Sequence, residues 1–165
     1  MQDGKPEGEI ILNKSYFRLA AGLGGAVLLC TAASAFAQAA VWVGQIKVSR
    51  GIVVLERGGQ KLPGMVGVRL KENDVILTEA NGSAGLMFND NSTLSLGPNA
   101  EVVLERYAYD STTYLGAFDA FVKRGAVSIE AGNLANAQPE AVRVKTPQAE
   151  LKGQARSFAV NVEGK

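Results

Sequence analysis

Short apolar runs separated by turn residues fill the chain from about residue 45 onward. The runs are rich in Val, Ile, Leu and Phe, and no helical period of 3.6 residues recurs among them. We predict strands within Gln45–Glu56, Asp74–Thr78, Ser83–Phe88, Thr93–Leu96, Glu101–Tyr109, Phe118–Val122, Ala126–Ile129, Val142–Lys145, Glu150–Leu151 and Phe158–Val162. Strands at this spacing, with Gly and Pro between them, predict an all-β sandwich, barrel or roll.

Turn signals separate these runs. Asn81-Gly82 is the strongest two-residue hairpin signal and predicts antiparallel neighbours on either side of it. Asn89-Asp90-Asn91 consists of residues that tolerate a left-handed backbone. A helical turn is expected only within Ala131–Ala137 or Gln154–Ser157. The fold class is therefore all-β, with short strands and tight turns.

The N-terminus has the pattern of an export signal. Lys14 and Arg18 precede an uncharged stretch, Leu19–Ile46, whose first part is apolar and rich in Ala and Gly. Ala35-Phe36-Ala37 is a small-x-small cleavage site, which predicts a signal peptide cut before Gln38. The stretch is also long enough to stay as an anchor of about 20 apolar residues. Both alternatives place the rest of the chain outside, because the positive flank stays in the cytoplasm.

These boundaries divide the chain into three parts. Residues 1–37 are a signal peptide or an uncleaved N-terminal anchor, residues 38–45 are a linker, and residues 46–162 form the all-β domain. The predicted localisation is the periplasm, and a membrane is contacted only through an uncleaved N-terminal segment.

Composition removes several classes of function. The 17 basic and 16 acidic residues are interspersed and leave a net charge of +1, so there is no electrostatic footprint for nucleic acid. There is no histidine, which removes the commonest general base and metal ligand. The single cysteine, Cys30, excludes an internal disulfide and every multi-cysteine zinc pattern. We predict no cofactor and no metal site.

Two groups of oxygen-bearing side chains are weak candidates for chemistry. Regular alternation along Glu101–Tyr109 puts Glu101, Glu105 and Tyr107 on one face, and paired carboxylates can serve glycoside hydrolysis. Glutamates on a strand face are usually only solvated. The segment Asn89–Ser92 offers oxygens for calcium but lacks the spacing and the distal Glu of a calcium loop. We therefore predict no catalytic residue.

The richest aromatic set flanks the turn-like segment Asp110–Gly116. Exposed aromatic side chains mark partner surfaces, so Tyr107, Tyr109, Tyr114 and Phe118 form the candidate partner surface. The alternative is that these bulky residues fill the core of a sheet with short strands.

Five segments, in order, resemble the periplasmic domain of the FecR family. Gly67–Thr78 resembles a G-x-x-L-x-x-x-D-x-I-x-T opening, and Ala84–Pro98 resembles the F-x-D-G-S-x-L-x-L-x-P core. Arg124–Ser128 matches an R-G segment, Val142–Pro147 resembles a V-x-T-P strand, and Phe158–Val160 resembles the closing F-x-V. The resemblance covers about Ile46 to Val162 and implies a twisted, solenoid-like β structure. The fold is thus expected to be a twisted β-solenoid-like or two-sheet sandwich domain.

The sequence departs from the family pattern in places. Ala155-Arg156 stands where the family usually has Gly-Thr, and Asp90-Asn91 stands where it usually has Asp-Gly. Larger members are anti-sigma regulators with a cytoplasmic helical domain ahead of a membrane span. Only Met1–Arg18 precede the apolar stretch here, so we expect the periplasmic fold without the sigma-factor switch.

We therefore expect a non-catalytic periplasmic domain that senses or scaffolds through contacts with a protein of the cell envelope. A cell-envelope carbohydrate-binding or structural module is the main alternative. An enzyme that acts on a polysaccharide is a further alternative, which the short chain and the absence of histidine disfavour.

Overall fold

The computed structural model describes residues 41–152 and 157–163, all of which belong to the unit Gln38–Lys165. The predicted cleavage site at Ala37 and Gln38, Cys30 and the Ala155-Arg156 departure lie outside the described residues. Among the residues that are described, no helix is long and apolar enough to cross a membrane.

The described residues contain twelve strands and one short α-helix. The strands are β1 Gly44–Arg50, β2 Val53–Arg57, β3 Gln60–Pro63, β4 Arg69–Leu70, β5 Val75–Thr78, β6 Ser83–Phe88, β7 Thr93–Leu96, β8 Glu101–Tyr109, β9 Gly116–Glu130, β10 Val142–Lys145, β11 Glu150–Lys152 and β12 Ser157–Val162. The helix α1 is Asn133–Ala137, and a 3₁₀ turn follows at Pro139–Ala141.

The twelve strands form one curled sheet. Nine of them follow the order β3-β2-β5-β8-β9-β7-β6-β1-β4, β10 and β12 pair with β9 off this path, and β11 pairs with β10. The long strand β9 joins the two halves of the sheet. The first part of β9 pairs with β8 on one edge and, in parallel, with β10 on the other. The second part pairs antiparallel with β7 and β12. The sheet curls because one strand serves two sets of neighbours along its length.

Gly125 marks the point where β9 changes neighbours. Its φ of +87° lies in the left-handed region that favours glycine, and a Cβ there would overlap the backbone of Ala100. The register of β8 against β9 also shifts between Glu101 and Val102, next to this position. The extra residue, Lys123, lies in β9 itself, and a glycine combined with such a bulge bends a sheet locally.

One face of the curled sheet encloses the core. Burial alternates with a period of two along β6 and β7, as expected of strands with one buried face. Leu86 lies opposite Leu94 across these two strands, and both are almost fully buried. Burial of each leucine side chain contributes about 1.5–3 kcal/mol.

The structure confirms the all-β class and the helical turn within residues 131–137. The strands form a single curled sheet that is mostly antiparallel. This sheet is not clearly a solenoid and not clearly a two-sheet sandwich.

The hairpin predicted at Asn81-Gly82 is wrong. Strand β5 pairs with β2 and β8, whereas β6 pairs with β1 and β7. The turn instead carries the chain from one half of the sheet to the other. The amide of Glu79 donates to the carbonyl of Ile52, and the Asn81 side chain accepts from the Ile52 amide. These bonds tie the turn to the β1–β2 connection, which crosses between the halves at the same place.

Candidate interaction surface

The β8–β9 hairpin carries all four aromatic residues of the candidate partner surface. Tyr109 lies opposite Gly116 at its end, and the loop Asp110–Leu115 connects the two strands. Tyr107 and Phe118 lie opposite each other two positions further into the sheet.

Tyr107 and Phe118 belong to the core, so their place on an exposed surface is corrected. Tyr107 is 6% exposed and Phe118 is 1% exposed. Their ring centroids lie 5.4 Å and 4.6 Å from that of Phe88, and 5.7 Å from each other. The three rings form a packed aromatic cluster. For Tyr107 and Phe118 the alternative that bulky residues fill the core is therefore the correct one.

A β-bulge explains why Tyr107 faces inward. Regular alternation puts it on the outer face with Glu105, but the register of β8 against β9 shifts between Leu104 and Arg106. An extra residue in one strand reverses the side of every residue that follows. Arg106 is therefore exposed and Tyr107 is buried.

The Tyr107 hydroxyl binds the turn between β6 and β7. It donates to Asp90 Oδ1 at 3.0 Å and accepts from the Asp90 amide at 2.9 Å. Burial, followed by the nearby Asp90 carboxylate, raises the pKa of Tyr107 far above its ordinary value. The ring and its hydroxyl thus join the aromatic cluster to the segment that resembles the F-x-D-G-S motif.

Tyr114 and its neighbour Leu115 remain on the surface. Their side chains are 48% and 47% exposed. The Tyr114 ring leans on the half-buried Tyr109, with centroids 6.5 Å apart. Leu115 was missed as a surface residue, although it lies inside the turn-like segment that the sequence pattern marks. The candidate surface therefore consists of Tyr109, Tyr114 and Leu115, which we call the tyrosine loop surface.

Asp110 holds the loop in shape. Its Oδ1 accepts from the amides of Thr112 at 2.8 Å and Thr113 at 3.3 Å. Its backbone carbonyl accepts from the Tyr114 amide at 2.8 Å, and its amide donates to Leu115 at 2.9 Å. The hydrogen bonds from the backbone amides of Thr112 and Thr113 lower the pKa of the Asp110 carboxyl. The loop is therefore ordered by its own hydrogen bonds rather than by contacts of the Tyr114 side chain.

Tyr114 has an unusual backbone. Its φ is +60°, in the left-handed region, where the other non-glycine residues among those described are Asn73, Asn91 and Asn99. Asparagine tolerates this region, whereas a bulky side chain there costs roughly 1–2 kcal/mol. Such strain persists where another requirement fixes the residue type, and it is a pointer to function.

The two strands approach each other closely at the base of the loop. A Cβ at Gly116 would overlap the Ala108 carbonyl across the hairpin. The Gly116 amide donates to the Gln138 side chain at 3.4 Å, which links the loop to the segment after α1. The loop is thus a rigid platform for two exposed apolar side chains.

The weak candidates for chemistry lie in ordinary structural contacts. Glu101 binds Lys123 Nζ at 2.7 Å, and Glu105 binds Lys145 Nζ at 2.9 Å. Each carboxylate thus faces a cation on the sheet surface. Within residues 41–152 and 157–163, no group of acidic or cysteine side chains is arranged to hold a metal ion.

The segment Asn89–Ser92 is a tight β6–β7 turn. Asn91 has a φ of +64°, and the buried Asp90 carboxylate accepts from the Ser92 amide and hydroxyl. The Asp90 oxygens therefore accept hydrogen bonds from the turn itself and from Tyr107. This is expected of a segment whose residues are fixed by the backbone conformation of the turn.

Comparison with known proteins gives one match. The family model described as FecR protein matches residues 74–165, which is more than half of the chain. A search of curated proteins found no significant match, and neither did a search of solved structures. The matched region begins at Asp74 and includes the β6–β7 turn, the tyrosine loop surface and the whole of β9.

Proposed function

Because the chain belongs to the FecR protein family, which acts in envelope signalling, we propose that it is a non-catalytic sensing or scaffolding domain in the periplasm. It acts by contact with a protein partner of the cell envelope, and the tyrosine loop surface makes this contact. No enzymatic activity is proposed for it.

The strained and exposed Tyr114 is the observation that carries the proposal. The loop would lose no internal hydrogen bond if residue 114 were asparagine, since Asp110 orders it through backbone groups and threonine amides. A tyrosine here costs backbone free energy and leaves about half of its side chain in water. A partner that covers the ring recovers apolar burial, and tyrosine is among the residues enriched at the centres of interfaces.

The rigidity of the loop also favours binding. Association costs free energy for every loop and side chain that becomes ordered at the interface. The Asp110 bonds and the close approach of Gly116 to Ala108 hold the loop in one shape before any partner arrives. The tyrosine loop surface can therefore bind with little ordering cost.

Crosslinking in living cells tests the proposal. A photoreactive side chain replaces Leu115, and in a control protein it replaces Met65, which is 62% exposed in another loop. We expect one defined adduct with an envelope protein from position 115 and none of the same mass from position 65. Equal adducts from both positions, or none from either, would contradict a specific contact at this loop.

The export proposal has its own test. The uncharged stretch and Ala35-Phe36-Ala37 predict a mature N-terminus at Gln38 in the periplasmic fraction. Mass spectrometry of the isolated protein measures it. A full-length product in the membrane fraction would show instead that the segment is a retained anchor.

The two alternatives have less support. An enzyme that acts on a polysaccharide would need Glu101 and Glu105 free for chemistry, yet each faces a lysine. A carbohydrate-binding module would use exposed aromatic rings, and binding of an envelope polysaccharide that is lost on substitution of Tyr114 would favour it over a protein partner.

A further inference from the structure

Three cations surround Trp42, the only tryptophan of the chain. The guanidinium carbons of Arg57 and Arg69 lie 5.6 Å and 5.7 Å from the centroid of its ring, and Lys71 Nζ lies 4.7 Å from it. All three distances are within the range of a cation–π contact. We call Trp42, Arg57, Arg69 and Lys71 the Trp42 cluster.

Among the described residues, Asp74 is the one carboxylate that pairs with these three cations. Asp74 is fully buried and accepts from Arg57 Nε at 2.8 Å and Nη2 at 2.7 Å, and its Oδ2 also accepts from the Lys71 amide. This bidentate pair uses up the charge of Asp74. Arg69 and Lys71 have no carboxylate partner within the part of the chain that the structure describes. Counted over the described residues, the cluster thus carries a surplus of two positive charges.

The buried carboxylate also fixes the geometry of the cluster. Arg57 donates from Nη2 to the Arg69 carbonyl at 2.8 Å, so one guanidinium joins Asp74 to the backbone that carries Arg69. On the other side, the Asn89 side chain donates to the Trp42 carbonyl at 2.7 Å. Arg57 and the backbone that carries Arg69, Lys71 and Trp42 are therefore held together before any ligand is present.

A cavity opens beside the cluster. Its volume is about 510 Å³, and Trp42, Arg69 and Asn89 are among the residues that line it. Most of its exposed lining is polar. Arg69 is the one cation of the cluster that lines the cavity, and Lys71 lies 4.7 Å from the Trp42 ring that forms part of the same wall. A guanidinium and amide side chains on the wall suit a polyatomic anion rather than an apolar ligand.

We propose that the Trp42 cluster binds an oxyanion of the phosphate class. Like charges held close together repel, and the cation–π contacts with the ring offset this repulsion only in part. A phosphate oxyanion removes the repulsion and accepts charge-assisted hydrogen bonds from Arg69 and Lys71. This inference does not depend on the tyrosine loop surface.

Two sources offer this chemistry: the phosphodiester of a lipid headgroup and a free phosphate group. In the sequence, only Gln38–Val41 separate Trp42 from the predicted cleavage site. A tryptophan flanked by basic residues is the combination found at membrane–water interfaces. A neutral sugar suits the site less, because three cations compete for the ring on which it would stack.

The test uses the protein with its natural N-terminus and Trp42 as an internal fluorescent probe. Inorganic phosphate is titrated in one arm. In the other, vesicles of phosphatidylglycerol and phosphatidylcholine are compared with vesicles of phosphatidylcholine alone, so that a retained anchor contributes equally to both. The variant Arg69→Gln/Lys71→Gln is compared with Lys152→Gln, which removes one exposed cation on β11. Arg57 is left unchanged, because its loss would leave Asp74 buried without a partner.

We expect a change in Trp42 emission with phosphate, with anionic vesicles or with both, and a loss of about tenfold or more in affinity in the double variant. Lys152→Gln should bind like the wild type, and urea unfolding should show both variants folded. A response to anionic vesicles alone identifies the lipid headgroup, and a response to phosphate alone identifies the free anion. The proposal is overturned if the wild type responds to neither probe, if the double variant binds as tightly as the wild type, or if a neutral oligosaccharide alone changes the emission.

Discussion

Two turns of this protein use the same device for different ends. In the β6–β7 turn, Asp90 Oδ1 accepts from the Ser92 amide at 3.2 Å, and in the β8–β9 loop, Asp110 Oδ1 accepts from the Thr112 amide at 2.8 Å. Each turn contains one non-glycine residue with a left-handed backbone, namely Asn91 with a φ of +64° and Tyr114 with a φ of +60°.

The two turns differ in what surrounds the aspartate and in which residue takes the left-handed position. Asp90 is buried and bound by Tyr107, whereas Asp110 is exposed and binds only its own loop. At the first turn the strained position holds asparagine, which suits it; at the second it holds tyrosine, which does not. The first turn is therefore explained by folding alone, and the second requires a further reason.

The largest expected effect is at the buried turn. Asp90→Ala removes the acceptor of the Tyr107 hydroxyl and of the Ser92 amide and hydroxyl, so buried donors lose their partner. We expect a loss of about 3 kcal/mol or more in the free energy of unfolding. Urea unfolding measures it, with Asp110→Ala as the matched control at the exposed loop. An equal loss in both variants would mean that burial does not distinguish the two turns.

Tyr107→Phe tests the hydrogen bonds of the same turn. We expect a loss of about 1–2 kcal/mol near neutral pH, because the Asp90 amide loses its acceptor while the ring stays packed.

The pH dependence has a definite sign. The pKa of Tyr107 is raised in the folded protein, so its contribution to stability is fully present below the unfolded tyrosine pKa of about 10 and is lost as pH rises above it. Between pH 8 and 11, the wild type should lose more stability than Tyr107→Phe. Parallel losses in the two proteins would show that Tyr107 titrates as an exposed residue.

The left-handed positions predict effects of opposite sign. Asn91→Ala should cost about 1 kcal/mol, since alanine tolerates this backbone poorly. Tyr114→Asn should leave the free energy of unfolding unchanged or raise it by up to about 1 kcal/mol, because it relieves strain in a loop whose own bonds remain. Thermal or urea unfolding measures both. A large loss in Tyr114→Asn would show that the ring is part of the core.

The smallest effect is expected at Asp110. Its pKa is lowered by the amides of Thr112 and Thr113, so its contribution is present above the unfolded pKa of an aspartate and is lost as pH falls through the folded value. In Asp110→Asn, the order of the loop should therefore fall less in acid, below about pH 4, than it does in the wild type. Amide exchange of Thr112 in acid measures this. Unchanged exchange would mean that the carboxylate does not order the loop.

The strands with one buried face could be predicted from the sequence. In β6 and β7, buried positions alternate with half-buried or exposed ones at a period of two, so the order of residue types carries the signal. Strand β3 was missed because all four of its residues are exposed and no apolar alternation marks it. It forms because the left-handed Gly58 and Gly59 turn the chain back along β2.

Features that depend on distant neighbours were not visible. The predicted strands Phe118–Val122 and Ala126–Ile129 are parts of one strand, because Gly125 bends β9 rather than ending it. The bulge between Leu104 and Arg106 has no signature in residue type, and it reversed the side assigned to Tyr107. The left-handed backbone of Tyr114 could not be read from the sequence either, since tyrosine is not a residue that favours it.

The most direct test of the partner contact compares wild type with Tyr114→Asn at equal folded fraction. The photoreactive side chain stays at position 115 in both proteins, and the yield of the envelope adduct is measured alongside urea unfolding. We predict that Tyr114→Asn is as stable as the wild type or more stable, and that the adduct is lost. A stable Tyr114→Asn protein that forms the adduct in full would contradict the account, because the backbone strain of tyrosine at this position would then not be explained by partner binding.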